Sequence, residues 1–426
     1  MRFPRTARAA MALALACTAS SAAADDLLSL DDAFERTLRH RPELRALDLD
    51  RVRLGAEREN AALPPPLNFD AGVENILGAG GTRGLSGAEA TFGLSSLFER
   101  GGKRDARHAL GQSRIDALDA EAEARRIDLL AEVARRHLDA AFARNLVAIA
   151  AQDVEQRRRA ADAANERWRA GAAPESVALA AQAALARAEL EHDNLLREDE
   201  TARRLLAASW AGTRAAFEVA AADPTRLPDI EDIGALAALL DASPELRRLA
   251  SEARIREARI ALARSEATPD IGWQIGVRRL QAERDNALVA SISIPLGTRS
   301  RADSSIRAAT LERDALDLER DAGRTALYAV LVEAHGRYRS ERERALRLAS
   351  TVVPELERAE RAAGHAFRRG AASHLEWAQV QSDRIAALRE REEAARAAQR
   401  ALIELQRLTG RSFITDADTA PSGATP

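Results

Sequence analysis

The stretch Trp168-Arg169-Ala170-Gly171-Ala172-Ala173 recurs in the second half of the chain as Phe367-Arg368-Arg369-Gly370-Ala371-Ala372. A Gln follows each Gly at the same distance, as Gln182 and Gln381. Upstream, RPELR at residues 41–45 is echoed by SPELR at residues 243–247. The sequence therefore contains an internal duplication, and each copy is predicted to contain a long helix, two short strands and two long helices.

Composition favours long helices over a compact globular core. Aromatic residues make up only 4% of the 426 residues, whereas charged residues make up 30%. A mixture rich in Ala, Arg, Glu and Leu with few bulky side chains is typical of long helices. The net charge of −3 provides no basic field of the kind that nucleic-acid binding requires, so no nucleic-acid partner is expected.

The N-terminus has the pattern of an export signal. Three Arg residues precede a short apolar run at residues 9–16, and small residues follow before a cleavage site. We therefore expect a signal peptide over residues 1–24. Lipidation of Cys17, the only cysteine, is the alternative, although Ala14 stands where a lipoprotein signal prefers Leu.

Four segments alternate apolar and polar or small side chains, which predicts β-strands. The segments are 67–74, 88–95, 271–278 and 288–294. Such alternation fits a half-buried hairpin of a soluble protein, and it also fits the strands of a membrane barrel. The export signal favours the membrane barrel. Because four strands cannot close a barrel, we expect copies of the chain to complete one together.

Long helices follow each pair of strands. Residues 105–169 contain no Pro, and a helix of this length reaches roughly 100 Å. In the second copy Pro354 interrupts the outgoing helix, so a break is expected near Val353. The predicted segments are a first helix over 30–62, return helices over about 175–210 and 373–408, and an outgoing second-copy helix over 304–369. The predicted domains are a first repeat at 25–219, a linker at 220–233, a second repeat at 234–412 and a disordered tail at 413–426.

Motifs that carry catalysis are absent from the sequence, so neither an enzyme nor a cofactor is expected. The seven His residues are scattered. His365 and His374 flank the turn between the two long helices of the second copy, but their spacing does not match a pair of metal ligands on one helix. We interpret them as surface residues rather than metal ligands.

A basic turn joins the second strand to the long helix of the first copy. Gly101 and Gly102 permit a sharp turn, and Lys103 and Arg104 then lie at a helix N-terminus, where the macrodipole disfavours cations. We expect lipid phosphates or carboxylates of a neighbouring subunit to pair with them. A solvated basic turn is the alternative.

The chain resembles the TolC-type outer-membrane factors of bacterial efflux systems over essentially its whole mature length. Within that family it is most similar to the CzcC-like branch of cobalt-zinc-cadmium resistance systems. The stretch from Leu63-Pro64 to Glu74-Asn75 resembles that branch's Pro-rich entry into a first strand. The run from Gly93-Leu94 to the Gly-Gly-Lys-Arg of residues 101–104 is the most specific match, and Ile294-Pro295-Leu296 resembles its counterpart in the second copy.

The resemblance implies a mixed, mainly α-helical fold. Three chains would form one twelve-stranded outer-membrane β-barrel, with four strands per chain, continued by a long periplasmic α-helical barrel. The helical hairpin tips would dock a periplasmic adaptor, which connects to an inner-membrane RND pump. The tip residues are Arg169, Gly171, Ala172, Arg368, Gly370 and Ala371.

The resemblance also implies a pore constriction at the second tip. Glu376 matches the first of two acidic positions of the family, and Gln379 occupies the second. Three copies of Glu376 would form a ring that attracts cations, whereas a single exposed Glu would only be solvated. The implied cargo is a divalent metal such as cobalt, zinc or cadmium. Alternatives are the same duct for organic compounds and, less favoured, a soluble periplasmic coiled-coil scaffold.

Overall fold

The computed structural model describes residues 27–413. The predicted signal peptide with Cys17 and residues 414–426 of the predicted tail lie outside this range. Phe413, which the sequence assigned to the tail, is buried, and its ring lies 5.9 Å from that of Phe34. The predicted tail is therefore wrong at this residue, because Phe413 packs against the folded chain.

The single helix predicted over residues 30–62 is two helices in the structure. Helix α1 ends at His40 and α2 begins at Pro42, because Arg41 adopts an extended conformation (φ −73°, ψ 118°). Pro disfavours helical backbone in the residue before it and suits the first turn of a helix. The elements of this half are β1 Leu27–Leu28, α1 Leu30–His40, α2 Pro42–Ala61, β2 Asn68–Glu74, β3 Glu89–Phe98, α3 Lys103–Arg169, α4 Glu175–Ala207 and β4 Glu218–Val219.

The second half also contains two helices, two strands and then long helices, but it has no counterpart of β1 or β4, and its outgoing long helix is divided in two. Its elements are α5 Ile233–Ala238, α6 Pro244–Ser265, β5 Ile271–Leu280, β6 Asp285–Ser293, α7 Thr298–Arg347, α8 Val353–Arg368 and α9 His374–Thr409. A π-helical turn at Leu348–Val352 joins α7 to α8, and the backbone stays helical through Val352 and Val353. The expected break near Val353 is therefore a local change of helical pitch just before Pro354.

The four longer strands form one antiparallel sheet in the order β2-β3-β5-β6. The two halves meet in this sheet, where Phe98 at the end of β3 pairs with Ile271 at the start of β5. A second, parallel pair of two-residue strands joins Leu27 to Glu218, and the sequence did not predict it. Within the described residues, β2 and β6 each pair on one side only, so both edges of the larger sheet are open.

The main hydrophobic core lies where α3, α7 and α9 pass one another. It contains fully buried Phe142, Leu331 and Tyr338 together with small Ala residues of α9. The linker between the halves is fastened over this core, since the Tyr338 hydroxyl donates to Pro228 O and Arg342 Nε donates to Leu227 O at 2.9 Å. Beyond this core, α3 with α4 and α8 with α9 continue as helical hairpins.

Candidate channel surfaces

One face of the four-stranded sheet is apolar and uncovered. Its side chains form rows across all four strands: Phe69–Leu94–Ile275–Ala290 and Ala71–Phe92–Val277–Leu288. Phe69 is 70% exposed and Leu288 is 74% exposed. A contiguous apolar surface of this kind marks contact with a membrane or another protein.

The opposite face of the sheet is polar or small. One row across the strands is Asn68–Ser95–Gln274–Ser291. Near the far end of the strands, Arg278 Nη1 lies 2.9 Å from Glu89 Oε2, and its Nε donates to Thr91 Oγ1 at 3.0 Å. The sheet therefore has one apolar face and one polar face, as the alternation predicted.

The basic turn after β3 is held by a partner within the same chain. Gly101 (φ 78°) and Gly102 (φ 72°) both adopt left-handed backbone, as the expected sharp turn requires. Lys103 Nζ lies 2.6 Å from Asp270 Oδ2, so the expectation of a lipid or a neighbouring subunit as its partner is wrong. Arg104 is exposed and forms no ion pair with any residue between 27 and 413.

A second ion pair supports the same turn. Arg107 binds Glu99 through two hydrogen bonds of 2.6 and 2.8 Å, and its Nε donates to Ala61 O at 2.9 Å. The hydrogen bonds from Arg107 lower the pKa of Glu99. Burial opposes ionisation of Asp270, but hydrogen bonds from Lys103 and the Arg100 N–H outweigh it and lower its pKa. Both carboxylates are therefore held in their charged form.

The repeated Gly motif closes both hairpin tips in the same way. Gly171 (φ 70°) and Gly370 (φ 74°) are left-handed. The Ala172 N–H donates to Arg167 O at 2.8 Å, and the Ala371 N–H donates to Ala366 O at 2.9 Å. This is the Schellman arrangement that ends a helix on Gly. All six predicted docking residues, including Arg169 and Arg368, are exposed.

Glu376 caps the helix that leaves the second tip. Its carboxylate accepts the Ser373 N–H at 2.7 Å and the Ser373 hydroxyl at 3.0 Å, and these bonds lower the pKa of Glu376. Gln379 donates to Asp383 Oδ1 at 2.8 Å. Asp383 is an exposed acid that the sequence reading did not single out, although its spacing of one helical turn from Gln379 was visible.

An aromatic cluster lies within the second hairpin, and Arg167 of the first hairpin contacts it; the sequence analysis predicted neither. Phe367 stacks on Trp377 with ring centroids 5.1 Å apart, and His374 lies edge-on to Phe367. Burial lowers the pKa of His374. Arg167 of the first hairpin lies over the Phe367 ring at 4.8 Å and donates to Phe367 O at 3.2 Å.

No group of three or more metal-binding side chains occurs within residues 27–413. In the same part of the chain, none of the helices combines the length and the apolar character needed to cross a bilayer.

Residues 33–223 match the family described as outer membrane efflux protein. The chain is 27% identical to the cobalt-zinc-cadmium resistance protein CzcC of Cupriavidus metallidurans over 67% of this chain and 69% of CzcC. It is 28% identical to the nickel-cobalt-cadmium resistance protein NccC of Alcaligenes xylosoxydans over 60% of this chain, but the match spans only 59% of NccC.

The fold is also that of a solved outer membrane protein. VceC from Vibrio cholerae superimposes with a TM-score of 0.74 and 17% identity, over 90% of this chain and 97% of VceC. By sequence over residues 33–223 and by fold, this chain is similar to outer membrane efflux proteins. The predicted resemblance to TolC-type factors and to CzcC is thereby confirmed.

Proposed function

We propose that three copies of this chain form the outer-membrane exit duct of a tripartite efflux system for divalent heavy-metal cations such as cobalt, zinc or cadmium. The observation that carries the proposal is the four-stranded sheet with one uncovered apolar face, one polar face and two open edges. The sheet leads directly into α3, whose 67 residues extend ~100 Å. A sheet that lies in the outer membrane and continues into a helix long enough to extend across much of the periplasm is the architecture that an exit duct requires.

Open sheet edges support a closed ring of subunits. An exposed edge strand presents unpaired backbone groups, which a membrane does not tolerate. Pairing β6 of one copy with β2 of the next would satisfy both edges, and three copies would give twelve strands. Leu311, Leu318 and Val332 of α7 are also exposed and follow a heptad spacing, which suits lateral packing against a neighbouring helix. Cyclic symmetry would use both features at once.

The tips are proposed to meet the partners of the duct. Exposed Arg169, Gly171 and Ala172 with their second-copy counterparts Arg368, Gly370 and Ala371 would dock a periplasmic adaptor, which connects to an inner-membrane RND pump. Glu376 would form the acidic constriction, with Gln379 one turn further along α9.

Metal is the proposed cargo because CzcC and NccC are named for resistance to cobalt, zinc, nickel and cadmium. Growth of a deletion strain tests this on a panel of those metals beside detergents and antibiotics. We expect selective metal sensitivity that the intact gene restores. Sensitivity to the organic compounds alone would reassign the cargo and keep the duct.

Two positions of β6 test the membrane sheet itself. Leu288, near the middle of the strand, is 74% exposed on the apolar face, and Ser291 lies on the polar face. Arg on the lipid face of a barrel costs ~2–4 kcal/mol at the bilayer midplane. We expect Leu288→Arg to abolish heat-modifiable trimers in outer-membrane fractions, whereas Ser291→Arg should assemble. Equal assembly of both variants would contradict a lipid-facing Leu288.

A further inference from the structure

His374, which follows the turn of the second copy, is not the surface residue that the sequence indicated. Its ring lies edge-on to two aromatic rings, with centroids 5.8 Å from Phe367 and 6.4 Å from Trp377. His374 Nε2 is buried and has no hydrogen-bond partner within residues 27–413. His365, before the turn, is exposed as expected, and its Nδ1 lies 3.0 Å from Arg368 Nη2. The surface interpretation is therefore wrong for His374, because the fold places its ring in an aromatic cluster.

The aromatic cluster of Phe367, His374 and Trp377 connects three helices. Phe367 is a residue of α8 and only 5% exposed, and Arg167 of α3 lies over its ring. Trp377 belongs to α9 and packs close to α8, since a Cβ at Gly364 would lie 3.3 Å from Trp377 Nε1. A change in the state of His374 therefore acts where α3, α8 and α9 meet, beside the second tip.

The surroundings of His374 disfavour a positive charge on its ring. A proton on the buried Nε2 would have no acceptor, and an unpaired buried charge is costly. His374 is also the first residue of α9, and a cation is unfavourable at a helix N-terminus. Burial, together with the charge of Arg157 on α3, lowers the pKa of His374.

The carboxylates around the cluster already have partners. The charged and titratable groups of the surrounding helices are Arg157, Arg167 and Asp153 of α3, Glu360, His365 and Arg368 of α8, and Glu376 and Arg384 of α9. Asp153 lies 3.1 Å from Arg157 Nε, and Glu360 Oε2 lies 2.5 Å from Arg384 Nε. Glu376 accepts hydrogen bonds from Ser373. A protonated His374 therefore finds no free carboxylate among residues 27–413.

We infer that protonation of His374 loosens the second hairpin tip, so that the aromatic cluster is an acid-sensitive contact. A charged ring leaves the cluster for water, because water can solvate it and the cluster cannot. Phe367 and Trp377 then lose an edge contact, and the turn between α8 and α9 opens more often. Since the closed tip favours the neutral ring, opening is rarest above the ordinary His pKa of ~6.5 and increases as the pH falls below it.

The test measures hydrogen–deuterium exchange by mass spectrometry on the purified full-length protein, at pH 7.5 and pH 5, with rates corrected for intrinsic exchange. His374→Phe and His374→Gln both remove the titrating ring, and His365→Phe is the control for loss of a His near the turn. The first tip is the internal reference, because Glu175 stands at the position that matches His374 in the repeat. Glu376 stays charged at pH 5, since the hydrogen bonds from Ser373 lower its pKa, so its cap does not respond.

We expect exchange at the second tip of the wild type and of His365→Phe to rise about three- to thirtyfold between pH 7.5 and pH 5. The upper limit corresponds to full titration of a released ring with a pKa of ~6.5. Both His374 variants should lack this rise, whatever their exchange at pH 7.5, and the first tip should respond less than the second.

A rise that persists in both His374 variants, or that is equal at the two tips of the wild type, would overturn the inference, as would a wild type without any rise. The growth assay on metals tests the duct separately. A tip that does not respond to acid would therefore leave the proposed function standing.

Discussion

Gly101 and Gly102 allow a matched test of how the sheet joins the long helix. Both residues are left-handed, so Ala costs ~1–2 kcal/mol at either position. At Gly101 the new Cβ would also lie 2.6 Å from Thr268 Cβ and 2.8 Å from Ser265 O, whereas at Gly102 nothing lies within 4 Å. Overpacking against fixed atoms adds ~1–3 kcal/mol. Gly101→Ala should therefore destabilise the protein by that additional amount relative to Gly102→Ala.

The assay is urea unfolding of each purified variant in the same detergent, followed by helical circular dichroism. With a denaturant slope of ~2 kcal/mol per molar, an additional 2 kcal/mol lowers the urea midpoint by ~1 M. Effects of Gly→Ala on the unfolded chain are the same at neighbouring positions and cancel in the comparison. Equal midpoints for the two variants would refute the close packing of Gly101 against the end of α6.

Three further predictions concern single contacts. Arg107→Met removes two hydrogen bonds from Glu99 and should cost ~2 kcal/mol at pH 7, a value reduced because both side chains are partly exposed. The folded state lowers the pKa of Glu99, so the Arg107–Glu99 interaction contributes fully to stability above the unfolded pKa of ~4.3. This contribution is lost as the pH falls through the folded pKa. The unfolding free energies of the variant and the wild type should therefore converge in acid. Glu376→Gln should keep the helix cap but lower the cation selectivity of single channels, whereas Glu376→Ala should also increase protease cleavage at the tip; unchanged selectivity in both would exclude a constriction role. Tyr338→Phe should cost ~1 kcal/mol by leaving Pro228 O unpaired. It should also remove a loss of stability above pH ~10, because burial raises the Tyr338 pKa to about 12, and unfolding at pH 8 and pH 11 measures this.

The periodic elements could be predicted because each is defined by local pattern. The predicted strand at 271–278 is β5 at Ile271–Leu280, and the predicted helix at 105–169 is α3 at Lys103–Arg169. Both patterns persist for many residues, so a few exceptions do not obscure them. The split between α1 and α2 was missed although Pro42 marked it, because the apolar positions continue across the break.

Contacts between distant parts of the chain could not be predicted from local pattern. Lys103 pairs with Asp270 only because β3 and β5 are neighbours in a register that places Phe98 opposite Ile271. No periodicity gives that register. The same limit hid the contact of Arg167 with Phe367, which joins residues of opposite copies. The sequence could indicate that the basic turn needs a carboxylate, but only the tertiary fold identifies which one.

The two hairpin tips have the same backbone turn but differ in the side chains that follow it. Both tips end a helix on a left-handed Gly, so the backbone turn itself is common to the copies. Only the second tip adds a side-chain cap from Ser373 and Glu376, whereas the first return helix begins after Pro174 without one. The hydrogen bonds from Ser373 hold the Glu376 carboxylate in one position, which suits a residue that contributes charge to a constriction. We therefore propose that the second hairpin presents the charge of Glu376 and that the first hairpin supports it.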